Sequence, residues 1–352
     1  MSTKLSHRTD TAPLAVTMGD PAGIGLELTA MAWTRRHKDQ IPPFAFYGCA
    51  RSLTACAERL GLTVPLNVIG EPRDAIGHFD SALPVIDIPL ATPASPGVAD
   101  PSNGSAVIQS IERAVEDTVA GRASAVVTNP IAKSVLYQAG FAHPGHTEFL
   151  AELADRFVPG GPYLPVMMIA SEALRVVPLT IHIPLAKVPG AISGDAIVKC
   201  ARIMAGALMR DFAIERPRIA VTGLNPHAGE DGSMGREDMD IIAPAIAQLK
   251  AEGIDVSGPH PADTLFHAAR RATYDAVLAM YHDQALIPAK TLAFDTGVNV
   301  TLGLPFVRTS PDHGTAFDIA GRGIASPSSL IAALQLAKRM SDARATSAVS
   351  SQ

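Results

Sequence analysis

The sequence has few of the features that characterise nucleic-acid-binding, disulfide-stabilised or membrane proteins. Only 5% of its 352 residues are aromatic, and its formal net charge is −5 with no basic run. Nucleic acid is therefore not an expected partner, because a basic surface and a set of stacking rings are both lacking. Three cysteines without a Cys-x-x-Cys spacing suggest neither a disulfide framework nor a zinc knuckle. No apolar run approaches the roughly 20 residues of a membrane span.

These absences predict a soluble, cytoplasmic protein whose partner is a small molecule. Hydrophobic residues make up 47% of the chain, enough for the core of one large domain or two smaller ones. Residues 1–13 lack the apolar segment of a signal peptide, and residues 341–352 are mostly small or polar. We expect both ends to be flexible, with the folded unit over residues 14–340.

Short apolar runs alternate with stretches of helical period, a pattern typical of βα units around a mostly parallel sheet. The sequence therefore predicts an α/β fold. Strands are expected at residues 14–18, 43–47, 64–69, 84–88, 124–128, 165–170, 175–182, 217–223, 275–280 and 298–302. Helices are expected at residues 24–36, 51–60, 106–120, 147–157, 194–212, 237–252 and 327–340.

Polar turns follow four of the predicted strands, at residues 19–21, 128–130, 225–227 and 281–283. In open α/β sheets, ligands bind beyond the carboxyl ends of the strands, so these turns are candidates for a binding site.

The first of these turns opens a glycine-rich loop, residues 19–25. Its residues Gly19, Asp20, Gly23 and Gly25 could form an anion-binding or cofactor-binding loop at a helix start, or only a tight turn. The spacing is not the Gly-x-Gly-x-x-Gly fingerprint of a Rossmann domain, and the lysine of a Walker A loop is missing.

Three histidines, His182, His227 and His282, each emerge from an apolar run into a polar turn. Three histidines with one open coordination position are typical of catalytic zinc and similar divalent ions. Each histidine alone could equally be a buried or capping residue. Their wide spacing leaves both interpretations open.

His146 and Thr147 stand at the start of a predicted helix, within GHTEFL at residues 145–150. Thr147 could cap that helix, with Glu148 complementing the positive end of its dipole. Alternatively, or in addition, His146 and Thr147 donate hydrogen bonds to an anionic substrate.

Further candidates lie towards the C-terminus. Lys290, Asn299 and Arg308 place two cations and an amide in one stretch, which suits a phosphate or a carboxylate, although either charge could simply be solvated. Asp263 is either a helix N-cap or a residue that orients the substrate or transfers a proton.

Six segments together resemble the 4-hydroxythreonine-4-phosphate dehydrogenase family of vitamin B6 biosynthesis. They follow the order of that family and span nearly the whole chain, from about residue 14 to about residue 338. The segments are GDPAGIG at 19–25, GHTEFL at 145–150, GLNPHAGEDG at 223–232, PADTLF at 261–266, MYHDQ at 280–284 and GVNVTLGLPFVRTSPDHGTAFDIAGRG at 297–323.

The resemblance implies an isocitrate- and isopropylmalate-dehydrogenase-like α/β/α fold with the active site in a cleft between two subdomains. The middle segment, roughly residues 150–285, would form one subdomain, and the N- and C-terminal segments the other. The family site lies at a homodimer interface and shares its ligands between the subunits. By resemblance, one divalent metal ion per subunit (zinc, magnesium or cobalt) is held by His182, His227 and His282, and the substrate by His146, Thr147, Lys290, Asn299 and Arg308.

The implied reaction is oxidation of 4-phosphohydroxy-L-threonine with NAD or NADP. Its product, 2-amino-3-oxo-4-phosphooxybutanoate, decarboxylates to 3-amino-2-oxopropyl phosphate. Asp263, Lys290 and metal-bound water are the candidates to accept the hydroxyl proton. Three alternatives are a sister dehydrogenase for another phosphorylated four-carbon hydroxy acid, a metal-dependent hydrolase, and a sugar-phosphate-binding protein without activity.

Overall fold

The computed structural model describes residues 12–143 and 145–350, and a twelve-stranded sheet forms its centre. The strands are β1 (Leu14–Thr17), β2 (Phe44–Gly48), β3 (Leu66–Val68), β4 (Leu83–Asp87), β5 (Val126–Val127), β6 (Val166–Ala170), β7 (Arg175–Thr180), β8 (Ile219–Thr222), β9 (Val256–His260), β10 (Ala276–Tyr281), β11 (Val298–Leu302) and β12 (Arg308–Pro311). Their order across the sheet is β3-β4-β2-β1-β5-β12-β11-β6-β7-β10-β8-β9.

The sheet consists of two parallel blocks that run in opposite directions. One block contains β3, β4, β2, β1, β5 and β12, and the other contains β7, β10, β8 and β9. Two strands, β11 and β6, lie between the blocks. The pairings β12–β11, β11–β6 and β6–β7 are all antiparallel. The strands from the middle of the chain, β6 to β10, all lie on one side of the sheet. Two subdomains remain a prediction with which this strand order is compatible.

Helices connect the strands and cover the sheet. They are α1 (Gly25–Thr34), α2 (Ala50–Arg59), α3 (Ala75–His78), α4 (Gly104–Val119), α5 (Lys133–Gln138), α6 (His146–Phe157), α7 (Val188–Ala191), α8 (Gly194–Phe212), α9 (Ala243–Ala251), α10 (Ala268–Arg271), α11 (His282–Ala293) and α12 (Ser328–Ser350). None of the helices in the described ranges is long and apolar enough to cross a lipid bilayer.

The apolar runs of the sequence form the core of the sheet. All residues of β1 and β2 are buried, as expected for strands covered on both faces. The helix α4 buries Val107, Ile111, Ala114 and Val115, a spacing that places them on one helix face. The period of the apolar residues therefore sets which face of this helix packs on β1 and β2.

Ten predicted strands correspond to β1 to β8, β10 and β11. The apolar-run criterion missed β9 and β12, because β9 contains Gly258 and Pro259 and β12 is polar although buried. It also missed α11, which has Pro288 in its interior. These elements form through tertiary contacts that local composition does not reveal.

The chain after residue 340 differs from the predicted flexible tail. The last helix, α12, continues to Ser350. Within it, Arg344 donates from Nε and Nη2 to the carboxylate of Asp211, at 2.7 and 2.9 Å, and from Nη1 to the carbonyl of Pro305 at 2.8 Å. Since Asp211 is buried, these bonds attach residues 341–350 to the folded unit. Most of the predicted N-terminal arm, residues 1–11, lies outside the described residues.

Candidate active site

A cleft of about 1270 Å³ opens beside the central strands of the sheet. Its walls come from the segments after β5 and β7, the first turns of α5 and α6, one side of α11, and strands β11 and β12. Of the predicted site residues, those that line the cleft are His146, Thr147, His182, His282, Lys290, Asn299 and Arg308.

Arg308 is a buried cation whose hydrogen-bond partners are neutral. Its Nη2 and Nη1 atoms donate to Thr128 Oγ1 at 2.6 Å and to Thr301 Oγ1 at 2.9 Å, and only 4% of the residue is exposed. Burial lowers the pKa of Arg308 to about 10. No ion pair reaches it within the described residues, and an uncompensated buried charge is unfavourable. Such a guanidinium is prepared to bind an anion that enters the cleft.

His146 and Thr147 form the first turn of α6. The residue before the helix is Gly145, and no side chain caps the helix, so Thr147 does not have the capping role that its sequence position suggested. The Nε2 atom of His146 is shielded from solvent and has no hydrogen-bond partner among the described residues, although the residue as a whole is partly exposed. Burial and the charges of Arg308 and Lys133 hold the pKa of His146 well below its usual value. His146 is therefore a neutral imidazole available to a ligand.

Lys290 and Asn299 approach the cleft from α11 and β11. The Nζ atom of Lys290 lies 3.2 Å from the carboxylate of Asp312, which follows β12. Asn299 pairs with Ile169 of β6 and Ser310 of β12 and projects from the antiparallel centre of the sheet. The structure thus brings both residues into the cleft that contains Arg308.

His182 and His282 face each other across the cleft, because β7 and β10 are parallel neighbours and each histidine follows its strand. Their ring centroids are 6.0 Å apart. The Nδ1 atom of His282 lies 2.7 Å from the carboxylate of Asp283. That hydrogen bond leaves Nε2 as the free ring nitrogen, the arrangement found in many metal-binding histidines.

His227 and Asp263 lie outside the lining of this cleft. Both are exposed, and the single turn that contains Asp263 packs beside the loop that contains His227. In that loop, residues 227–231 all have left-handed backbone angles. Its base is held by the buried Asp238, which accepts hydrogen bonds from the Leu224 and Asn225 amides. Among the described residues, no group of three or more His, Cys, Asp or Glu side chains is arranged to hold a metal ion.

The glycine-rich loop 19–25 packs behind the cleft wall. The amides of Asp20 and Ile24 donate to the carbonyls of Pro130 and Thr315, and the amide of Gly23 donates to Asp20 within the loop. Gly25 begins α1. The amide of Ala22 also donates to the carboxylate of Asp20, so four amides of the loop are already bonded, which favours the tight-turn interpretation over an anion-binding loop.

Comparisons with known proteins agree with this architecture. A family model described as "Pyridoxal phosphate biosynthetic protein PdxA" matches residues 40–337. A protein from Methylorubrum populi named 4-hydroxythreonine-4-phosphate dehydrogenase is 58% identical over 333 residues, 94% of this chain and 95% of that protein. The chain belongs to the PdxA family. The predicted family resemblance is therefore confirmed.

Other PdxA relatives and solved structures extend the likeness. A protein of the same name from Caulobacter vibrioides is 52% identical over 332 residues, covering 94% of this chain and 98% of that one. The crystal structure of 4-hydroxythreonine-4-phosphate dehydrogenase from Klebsiella pneumoniae has a TM-score of 0.83 at 38% identity, over 94% of this chain and 98% of that chain. A terephthalate 1,2-cis-dihydrodiol dehydrogenase from Burkholderia xenovorans has a TM-score of 0.62 at 27% identity, over 93% and 98%. The predicted α/β fold class is confirmed.

Three titratable residues of this PdxA cleft were not singled out from the sequence. They are Lys133, Asp312 and His313. Asp312 and His313 lie in the polar run after β12, and Lys133 follows the polar turn at 128–130, so position after a strand was a usable signal for all three. Asp283, which orients His282, lies in the polar turn predicted at residues 281–283. The sequence did not predict its contact with the histidine.

Proposed function

We propose that this PdxA family member oxidises the secondary alcohol of 4-phosphohydroxy-L-threonine to a ketone, with NAD or NADP as the hydride acceptor. The product, 2-amino-3-oxo-4-phosphooxybutanoate, then loses carbon dioxide to form 3-amino-2-oxopropyl phosphate in pyridoxine 5′-phosphate biosynthesis. The observation that carries the proposal is the buried Arg308, without a carboxylate partner among the described residues, in the same cleft as His182 and His282. This combination suits an anionic substrate beside a divalent cation.

The cleft residues fit one divalent metal ion, with zinc, magnesium or cobalt as candidates. His182 and His282 would hold it, and the contact between Asp283 and His282 Nδ1 leaves His282 Nε2 free to coordinate. A bound metal ion would lower the pKa of the substrate hydroxyl and polarise the developing carbonyl, while the nicotinamide ring accepts the hydride.

The substrate would be held by groups that the protein already orients. Two threonine hydroxyls fix the guanidinium of Arg308, and Asp312 fixes the ammonium of Lys290. Pre-oriented donors bind anions without a further loss of side-chain entropy. Asn299, His146 and Thr147 add uncharged donors. The proton of the substrate hydroxyl would pass to Asp263, to Lys290 or to metal-bound water.

We further propose a homodimer in which the partner completes each site. Large apolar side chains are exposed beside both histidines, at Ile183, Leu185, Ile287, Leu292 and Phe294, and Phe294 is 75% exposed. Apolar surface of this kind marks interfaces. His227 and Asp263 lie together on a surface outside the cleft of their own chain. On this proposal they enter the cleft of the other subunit, where His227 supplies a third metal ligand.

A cytoplasmic location completes the proposal. Cys49, Cys56 and Cys200 are all free and buried, which suits a reducing compartment.

The decisive experiment follows NADH formation by the purified protein with 4-phosphohydroxy-L-threonine and NAD. The protein is assayed as purified, after chelation, and after zinc, magnesium or cobalt has been added back. We expect NADH to form only with metal present. Metal-dependent consumption of substrate without any nicotinamide reduction would instead indicate a hydrolase, and binding without turnover a sugar-phosphate-binding protein.

A sister dehydrogenase for another phosphorylated four-carbon hydroxy acid is the second candidate. The likeness to a terephthalate dihydrodiol dehydrogenase at 27% identity supports this second candidate, because that dehydrogenase has a similar fold and is named for a different substrate. A panel of such acids, assayed with the metal-loaded protein, discriminates the two. The higher kcat/KM identifies the substrate.

A further inference from the structure

A second cavity, of about 780 Å³, lies on the other face of the central antiparallel strands. Successive residues of a strand point to opposite faces of a sheet. In β11, Val298 lines this cavity whereas Asn299 lines the cleft, and in β6 Ala170 lines the cavity whereas Met167 lines the cleft. Among the described residues, the two linings have no member in common. The cavity is therefore separate from the candidate active site.

The size and the apolar part of the lining suit a small molecule. Small-molecule sites usually have volumes of about 300–1,000 Å³ and are lined largely by apolar side chains. Here Phe212 from the end of α8 and Leu336 and Met340 from α12 supply large apolar side chains, and Ala293 lies at the end of α11. These residues could contact the apolar body of a ligand.

Two arginines also line this cavity, Arg175 on β7 and Arg339 on α12. Arg175 donates from Nη1 to the carbonyl of Asp275 at 3.2 Å, and its Cζ atom lies 5.1 Å from the centre of the Phe212 ring. Arg339 is exposed, and its side chain has no hydrogen-bond or ion-pair partner within the described ranges. Burial lowers the pKa of Arg175, the charge of Asp275 opposes this effect, and the charge of Arg339 adds to it. The two guanidinium groups are thus close enough to repel each other.

The carboxylates of the lining do not compensate these two charges. Asp211 is buried and already accepts hydrogen bonds from both Arg210 and Arg344. Glu172 is exposed, and in the described part of the chain it forms no ion pair with either arginine of the lining. An anion that contacts both guanidinium groups would replace their repulsion by two attractions.

We propose that this cavity binds a small organic anion, namely a carboxylate or a phosphate ester with an apolar body. Arg175 and Arg339 would bind the anionic group, since planar guanidinium groups match the geometry of carboxylate and phosphate oxygens. Phe212, Leu336 and Met340 would contact the apolar body. This inference does not depend on the proposed function, because the site lies outside the cleft.

The probe for this site is 4-bromobenzoate, because its bromine atom can be located by anomalous diffraction. Crystals of the full chain are soaked with the probe, and the bromine positions are determined. In solution, the probe is titrated calorimetrically into the wild type, Arg339→Gln and Arg175→Lys. Arg216→Gln is the matched control, since Arg216 is exposed and lies outside the cavity. The uncharged control ligand is 4-bromobenzyl alcohol.

We expect a bromine atom in the cavity and about tenfold weaker binding of 4-bromobenzoate by Arg339→Gln, since a charged hydrogen bond is lost. Arg175→Lys should keep part of the affinity, because it retains the charge but not the planar fork. Arg216→Gln should bind like the wild type, and the alcohol should bind more weakly than the carboxylate. Arg308→Met, which changes the cleft, should retain the binding in the cavity.

Three results would overturn the inference. The first is a bromine atom found only in the cleft, or nowhere, which would also be the result if a partner subunit covered the cavity. The second is an affinity for the probe that Arg308→Met abolishes and Arg339→Gln leaves unchanged. The third is equal affinity for the alcohol and the carboxylate, which would show that the cavity does not select a charge. Circular dichroism verifies that each variant is folded, and Arg339→Lys replaces the glutamine variant if that one is not.

Discussion

At the scale of single residues, Arg308 shows a conflict between stability and binding. Among the described residues its guanidinium is buried with hydroxyl partners, so the fold keeps a charge away from water without a counter-ion from those residues. Exchanging a buried charge for an apolar side chain of similar size is often neutral or stabilising. The residue is thus better explained by an anionic ligand than by folding.

Replacing Arg308 with Met should therefore leave the free energy of unfolding unchanged, or raise it by up to about 2 kcal/mol, while substrate binding is lost. Urea denaturation in phosphate-free buffer measures the first effect, and calorimetric titration of substrate measures the second. Arg308→Lys is the control, because it keeps the charge but not the planar fork. A strongly destabilised methionine variant would show that Arg308 is a structural residue.

His146 should make the stability of the protein depend on pH. Burial holds its pKa well below the usual value, so the folded protein does not take up a proton there as the pH falls, whereas the unfolded chain does. The contribution of His146 to the free energy of unfolding is therefore fully retained above about pH 6.5. Below that pH the free energy of unfolding decreases by up to about 1.4 kcal/mol per pH unit. His146→Gln should remove this contribution, which urea denaturation at pH 7, 6 and 5 would detect.

The histidines His260 and His313 also have lowered pKa values, both mainly through burial, and they contribute equally to the wild type and the variant. The free energy of unfolding is plotted against pH for both proteins, and the difference between the two slopes therefore isolates His146. Parallel slopes would mean that His146 is protonated in the folded protein.

At the scale of elements, the turn between β1 and α1 requires a glycine for two reasons. Gly19 has a φ of +69°, and an added Cβ would lie 2.7 Å from both the Cβ of Asn129 and the carbonyl oxygen of Pro130. The turn therefore sets how closely α1 approaches the segment after β5, which lines the cleft.

Gly19→Ala should destabilise the protein by about 3 kcal/mol, since it adds a clash with the backbone to left-handed strain. Gly61→Ala is a matched control, because Gly61 has a φ of +64° and nothing within 4 Å of an added Cβ. That variant should lose only about 1 kcal/mol. Equal losses in urea denaturation would show that the close approach at Gly19 has no energetic effect.

The end of α12 is the second element for which we make a prediction. Although burial acts to raise the pKa of Asp211, hydrogen bonds from Arg210 and Arg344 keep it below its usual value. A chain that ends at Met340 loses Arg344, and we expect it to lose about 1–3 kcal/mol of stability. A chain that ends at Ala345 keeps Arg344 and should unfold in urea like the full chain. If both truncations behave like the full chain, residues 341–350 do not contribute to folding.

At the scale of the whole molecule, the central question is whether each site belongs to one chain or to two. The strand order brings His182 and His282 together and leaves His227 outside the cleft. A dimer that shares sites predicts complementation between inactive variants. Mixing His182→Ala with His227→Ala subunits should restore about a quarter of the wild-type rate, since half of the dimers are mixed and each has one intact site.

The rate of NADH formation after the two variants are unfolded and refolded together measures this complementation, and each variant refolded alone is the control. Activity that stays at the level of the single variants would mean that all three histidines act within one subunit, or that His227 is not a ligand.

Much of this organisation could be predicted from the sequence, because it is encoded locally. The apolar runs predicted ten of the strands, and the long helix α8 begins and ends where its pattern indicated. The position of polar turns after strands pointed to His282 and to the segment at 128–130. The motifs, being contiguous and chemically unusual, indicated the family.

What only the tertiary structure decided depends on contacts between residues that are far apart in the chain. Arg308 and Thr128 meet because β12 lies parallel to β5, and His182 meets His282 because β7 lies parallel to β10. Strand pairing and register are long-range properties that the composition of a segment does not specify. The sequence by itself therefore determined which side chains are candidates for the site. The order of strands in the sheet decided which of them share a cleft and which, such as His227, do not.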